Sequence, residues 1–201
     1  LPLSSAEVVK IDLAKGDITA RARSRNGVVP GNLICYQGYV ISQGVDSLDK
    51  YFQIGPLRKR VDEALAVNPA DPEALAWRGE IALDDGNLEK AVQDLRTAFG
   101  YRPPADARPE YLSRLEAERL RTRGLLIDAL TASLRADFAA NRASLPELEA
   151  MIESDEERGA YLRVLAAGLQ SEGKIREALD TYLTLADLKP AGNELEDVED
   201  G

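Results

Sequence analysis

The chain has 201 residues, 44% hydrophobic and 30% charged, which suits one large globular domain or two small ones. Its formal net charge is −10, with no histidine and one cysteine, Cys35. An intrachain disulfide is therefore excluded, triad and metal chemistry are disfavoured, and no cofactor is expected. No apolar run approaches the roughly 18 residues that a membrane span needs. Position 1 is Leu rather than Met, which leaves room for an upstream targeting signal. The charge is uneven: residues 1–144 carry 20 acids and 20 basic residues, whereas residues 145–201 carry 15 acids and 5 basic ones. An acidic end argues against nucleic acid, whose phosphates demand Lys and Arg, and leaves a protein or peptide, basic for preference, as partner. A plainly solvated acidic surface explains the same excess.

Residues 6–54 read as strands. Val8–Leu13 and Ile18–Arg23 flank the turn AKGD and pair as a hairpin. RNGVVPGN at 25–32 is a loop, after which Leu33–Tyr36 and Tyr39–Gln43 form a second hairpin about Gln37-Gly38. Leu48–Ile54 is a further strand, so this segment is expected to form one antiparallel meander. Cys35 lies in an apolar alternating run and is expected to be a buried thiol. RARSR at 21–25 is basic but has no interleaved aromatics, and reads as a solvated strand edge.

In KIDLAKGDITA, Asp12 and Gly16 keep the spacing of the Ala-x-Asp-x-x-Thr-Gly-x-x-x-Trp motif, with Lys10, Lys15 and Ala20 in place of its Ala, Thr and Trp. The segment resembles an edge blade of a quinoprotein-like (PQQ-like) β-propeller. That resemblance implies a mostly extracytoplasmic or periplasmic setting. It also implies a parent chain that is either a quinone-dependent enzyme, with this segment as spacer, or a scaffold. A small sheet capping the first helix is the alternative.

Gly55-Pro56 opens the helices. The stretch Asp71–Pro103 reads as two amphipathic helices about a glycine turn. Gly79 and Ala91 are small where the helices cross, Gly86 makes the turn, and Pro103 stops the second helix. Val61, Ala64 and Pro69 lie 34 residues before Leu95, Ala98 and Pro103. A continuous helix is expected over Glu110–Ala140 on a stripe of Leu112, Leu115, Leu120, Ile127, Leu130, Leu134 and Phe138, either bent at Gly124 or split by a tight joint. Ser144 with Glu147 has capping-box spacing, and Ser154 or Asp155 caps the next helix. In residues 159–190, Leu162, Ala166, Leu169, Gly173, Ile175, Ala178, Tyr182 and Pro190 repeat the landmarks of Asp71–Pro103.

These two matched stretches resemble the tetratricopeptide repeat (TPR), a 34-residue helix–turn–helix unit. The expected fold is mainly α with an N-terminal β segment, an α+β arrangement in which a short TPR-like α-solenoid follows the meander. The expected divisions are a blade-like fragment over residues 1–54, a helical domain over 55–190 and an acidic tail over 191–201. The resemblance implies a peptide groove lined by Glu73, Ala76, Glu80 and Leu83 of the first full repeat, and by Arg163 and Gln170 of the last. Glu73 and Glu80 stand where a carboxylate-binding TPR carries Lys, Asn or Arg, so a basic or apolar segment fits better. The same carboxylates also read as ordinary helix surface. Asp84-Asp85-Gly86-Asn87 lacks the ligand spacing of a calcium loop and reads as the turn between helices. The function expected is a non-catalytic scaffold segment for protein–protein or inter-domain contacts. A blander possibility is that the helices bind nothing outside, the groove being filled by the chain's own Glu110–Ala140 helix.

Overall fold

The computed structural model describes residues 1–23 and 28–188. The loop expected at 25–32 lies partly outside that range, and Pro190 with the acidic tail lies wholly outside it. The contacts divide the chain into two compact units, Leu1–Val67 and Asn68–Gly201.

The first unit is β-rich. Strands β1 (Pro2–Leu3), β2 (Glu7–Ile11) and β3 (Ile18–Arg23) form one antiparallel sheet, and β4 (Asn32–Tyr36), β5 (Tyr39–Gln43) and β6 (Leu48–Phe52) form another. Both expected hairpins are present, with Val9 opposite Arg21 and Ile34 opposite Ile41. Gln37 and Gly38 both have positive φ, 45° and 82°, the geometry of a two-residue hairpin turn. Among the described residues the strands make two three-stranded meanders rather than one, and neither has the four strands of a propeller blade. Cys35 is exposed, not buried, because a sheet this thin cannot cover both faces of its edge strand β4. Helix α1 (Ile54–Val67) falls in this unit by its contacts and buries Leu57, Val61 and Leu65 at four-residue spacing.

The second unit is helical: α2 (Pro72–Asp84), α3 (Leu88–Gly100), α4 (Pro109–Ala136), α5 (Phe138–Asn141), α6 (Leu145–Ala150), α7 (Asp155–Ser171) and α8 (Ile175–Asp187). Asp71 caps α2, its carboxylate accepting from the Ala74 amide at 2.8 Å, with Pro72 in the first turn. Asn87 caps α3. The α2–α3 and α7–α8 pairs turn on Gly86 and Gly173, whose φ values of 76° and 75° are nearly equal. A Cβ at Gly79 would lie 2.6 Å from Leu95 Cγ, so the small residue permits the close crossing. Ala91 and Leu95 are fully buried there.

Helix α4 runs through Gly124 without interruption and ends at Ala136, where Asp137 leaves helical geometry and caps α5. Its buried side is Thr122, Leu125, Leu126, Ala129, Leu130, Ser133 and Leu134. Leu112 and Leu120, expected on the apolar stripe, are exposed. The core joins Leu125, Leu126, Ala129, Leu130 and Leu134 of α4 to Leu95, Phe138, Leu148, Leu162 and Val164. At about 25 cal/mol per Å² of apolar surface removed from water, this cluster is the main stabilising term of the unit.

Candidate functional site

The residues expected to line a groove fall into two groups. Glu73, Ala76, Glu80 and Leu83 lie on α2, and the N-terminal half of α4 lies against them. The Glu73 carboxylate accepts from Arg114 at 3.1 Å, and Glu80 accepts from Arg121. Arg121 also donates to Glu118 at 2.5 Å, and its guanidinium sits 3.8 Å from the centroid of the Trp77 ring. Ala76 is fully buried and Leu83 packs at the rim of the core.

The two ion pairs differ in strength. Glu73 and Arg114 are exposed, and such a pair contributes about 0–1 kcal/mol. Arg121 and Glu80 are mostly covered, and the stacking on Trp77 adds on the order of 1 kcal/mol. With Glu73 and Glu80 both neutralised by arginines, the electrostatic reason for a basic partner segment disappears. The sequence alone did not single out Arg114 or Arg121. A signal was present: Glu73 and Glu80 are seven residues apart, as are Arg114 and Arg121. Two helical turns separate each pair, so one helix laid on the other can join both.

Arg163 and Gln170 occupy the other half of the expected groove. They lie on α7 and are exposed, with Ala167 exposed between them. The α2 half is thus covered by the chain itself, whereas the α7 half faces solvent.

The start of α7 is held by a third arginine of α4. Arg123 donates to both oxygens of Glu157, at 2.9 and 2.8 Å, and to the Met151 carbonyl. Its Nε lies 3.4 Å from Glu153. Glu157 also accepts from the Glu153 and Ser154 amides, while Ser154 Oγ accepts from the Glu157 amide, completing a capping box. The Arg123 hydrogen bond, more than anything else, holds the Glu157 carboxyl below its ordinary value of 4.5. The box expected at Ser144 does not form, because Glu147 accepts both of its bonds from Arg96 instead.

A shallow cleft of about 670 Å³ opens where α3 leads into α4, lined by Tyr101, Asp106, Arg108, Tyr111 and Arg114. Tyr111 donates to the Tyr101 hydroxyl at 3.4 Å. That bond, with burial second, pushes the Tyr111 phenol up to about 12. The phenol is therefore a neutral hydrogen-bonding group across the physiological range. Among the described residues no cluster of His, Cys, Asp and Glu has the arrangement of a metal site.

No curated protein and no solved structure matches the chain at a significant level. Residues 70–189 match the family described as bacterial transcriptional activator domain. That description overturns the expectation that nucleic acid plays no part. Net charge is a sum over the whole chain, whereas contact with DNA needs only a local basic surface, or a neighbouring part of the same regulator that provides one. The matched span holds α2 to α8 and covers more than half of the residues, and the chain belongs to the bacterial transcriptional activator domain family.

Proposed function

We propose that the helical unit is a non-catalytic contact module of a bacterial transcription regulator. In this reading it is a short TPR-like solenoid that engages a protein segment through the exposed side of α7. Family membership supports the regulatory setting. The observation that carries the choice of surface is the contrast between the two groove halves. The α2 carboxylates are already bound by Arg114 and Arg121, while Arg163, Ala167 and Gln170 face solvent.

A guanidinium and an amide on either side of a small residue suit an extended segment that presents carboxylate or carbonyl oxygens. The partner is thus an acidic or neutral protein segment, either from another protein or from elsewhere in a longer chain. In this reading the chain consists of a β-rich segment over residues 1–54, the helical domain over 55–190 and an acidic tail over 191–201.

The test tethers the chain to a heterologous DNA-binding domain upstream of a bacterial reporter promoter. Reporter output from the wild-type fusion, lost in Arg163→Glu/Gln170→Glu at unchanged fusion level and helicity, supports the reading. No output, or output indifferent to the two substitutions, sinks it. A mobility-shift titration of the untethered chain reports separately whether it touches DNA itself.

A further inference from the structure

Helix α8 packs on α7 through one side, burying Ala178 and half-burying Leu185. Its other side is an apolar stripe facing solvent. Ile175 is 62% exposed, Leu179 56%, Leu183 56% and Tyr182 39%. With Ala186 these residues recur at intervals of four, three, one and three, the period of a single helix face. The side chains it shows are of the size and spacing that a second helix covers.

We propose that this stripe pairs with the same stripe of a second copy of the chain, the two α8 helices running antiparallel about a twofold axis. Charge supports this occupant. Arg176 near the start of α8 and Asp187 at its end are eleven residues apart, which places both on the same flank of the stripe. An antiparallel pairing about the midpoint between Asp180 and Thr181 sets Leu179 opposite Tyr182 and Ile175 opposite Ala186. The same register brings Arg176 of each copy within a turn of Asp187 of the other, two attractive pairs set against a single approach of Asp180 to its symmetry mate near the axis. It also opposes the helix dipoles favourably. A parallel pairing would instead carry these flanks to opposite sides of the interface, where Arg176 and Asp187 of the two copies could not meet.

The chain's own residues 189–201 are a poor alternative cover. They hold five carboxylates against one lysine, and only Leu195 and Val198 as large aliphatic residues. Laid along a flank that already carries Asp180 and Asp187, they would be repelled. The stripe exposes on the order of 400 Å² per copy, about half a standard interface, so the dimer is expected to be micromolar rather than nanomolar.

This inference is independent of the role proposed for α7, because it is read by mass and not by transcription. Sedimentation equilibrium of the full 201-residue chain, from about 1 to 300 μM, should show a reversible monomer–dimer equilibrium in that range. Leu179→Glu/Leu183→Glu should remain monomeric throughout with unchanged circular dichroism. Arg176→Asp and Asp187→Arg should each weaken the dimer about five-fold or more, and the two together should restore it. Several results would overturn the proposal: a wild-type chain that stays monomeric, a dimer that survives the leucine substitutions, or a double charge reversal that restores nothing. So would a chain ending at Leu188 that dimerises when the full chain does not, which would assign the stripe to residues 189–201 instead.

Discussion

Arg121 of the long helix α4 stacks on Trp77 of α2, 3.8 Å from the ring centroid, while bonding Glu80 one helical turn further along α2. One side chain therefore covers the aromatic and neutralises the carboxylate that together define the α2 surface. Arg121→Ala should lower stability by about 1–2 kcal/mol, the sum expected for a partly covered ion pair and a cation–π contact. It should also increase the solvent accessibility of Trp77, raising the quenching of its fluorescence by acrylamide. A tryptophan whose quenching is unchanged would mean that α4 covers it by packing alone. Trp77 is the only tryptophan, so the signal is unambiguous.

The Arg123–Glu157 pair joins α4 to the capped start of α7, and its stability effect should depend on pH. The Glu157 pKa is depressed in the folded state by Arg123 first, with the Glu153 and Ser154 amides adding to it. A depressed carboxyl stabilises the fold fully above its unfolded value, and that contribution is lost as pH falls through the folded value. Glu157→Gln should therefore cost about 1–2 kcal/mol at neutral pH and progressively less below about pH 4. Urea titrations of both proteins at several pH values read this directly. Curves that stay parallel into acid would show that the carboxylate charge contributes nothing.

The legibility of this chain follows the range of the interactions involved. Within α2–α3, the small residues Gly79 and Ala91 and the large Leu95 were readable, because a helix crossing is set by residues close in sequence. The equivalent positions Leu162, Ala166, Leu169 and Ala178 are buried as well, whereas Tyr182, placed by the same pattern, is 39% exposed. Pattern alone cannot tell whether a further layer covers a helix. Long-range partners were not readable. Glu147 has capping-box spacing from Ser144, yet Arg96, 51 residues away, takes it. The split into two sheets depends on which strands pair across the 24–32 interval, and the alternation of apolar residues does not encode that choice. The cover that α4 lays on α2 needed the matched seven-residue spacing of two acids and two arginines, a signal visible only once the helices are placed together.

Tyr111 offers a titration that isolates one local contact. Its phenol donates to Tyr101 and is pushed up to about 12, chiefly by that bond and then by burial. A raised phenol stabilises the fold fully below its unfolded value of 10.0, and the contribution is lost as pH rises toward 12. In ultraviolet difference titrations against Tyr111→Phe, the Tyr111 transition should move down toward its ordinary value when Tyr101 is replaced by Phe. If that transition does not move, burial and not the hydroxyl pair is holding the phenol neutral.

Phe138, just past the end of α4, fills the space that a side chain at Gly168 would need: a Cβ built there lies 2.0 Å from Cδ2 of the ring. Both residues are buried, so neither the ring nor the α7 backbone can move away cheaply. Gly168→Ala gains up to about 1 kcal/mol of helix propensity but should still destabilise by about 1–3 kcal/mol, because overpacking outweighs it. Phe138→Ala alone should cost about 3–5 kcal/mol by leaving a cavity in the core. The pair is the sharper measurement. In Phe138→Ala/Gly168→Ala the ring is gone and the new methyl partly fills its space, so the helix-propensity gain is recovered without the clash. The double variant should then be at least as stable as Phe138→Ala, with a coupling of about 1–3 kcal/mol. Additive losses would mean that the glycine serves the α7 backbone and not the ring.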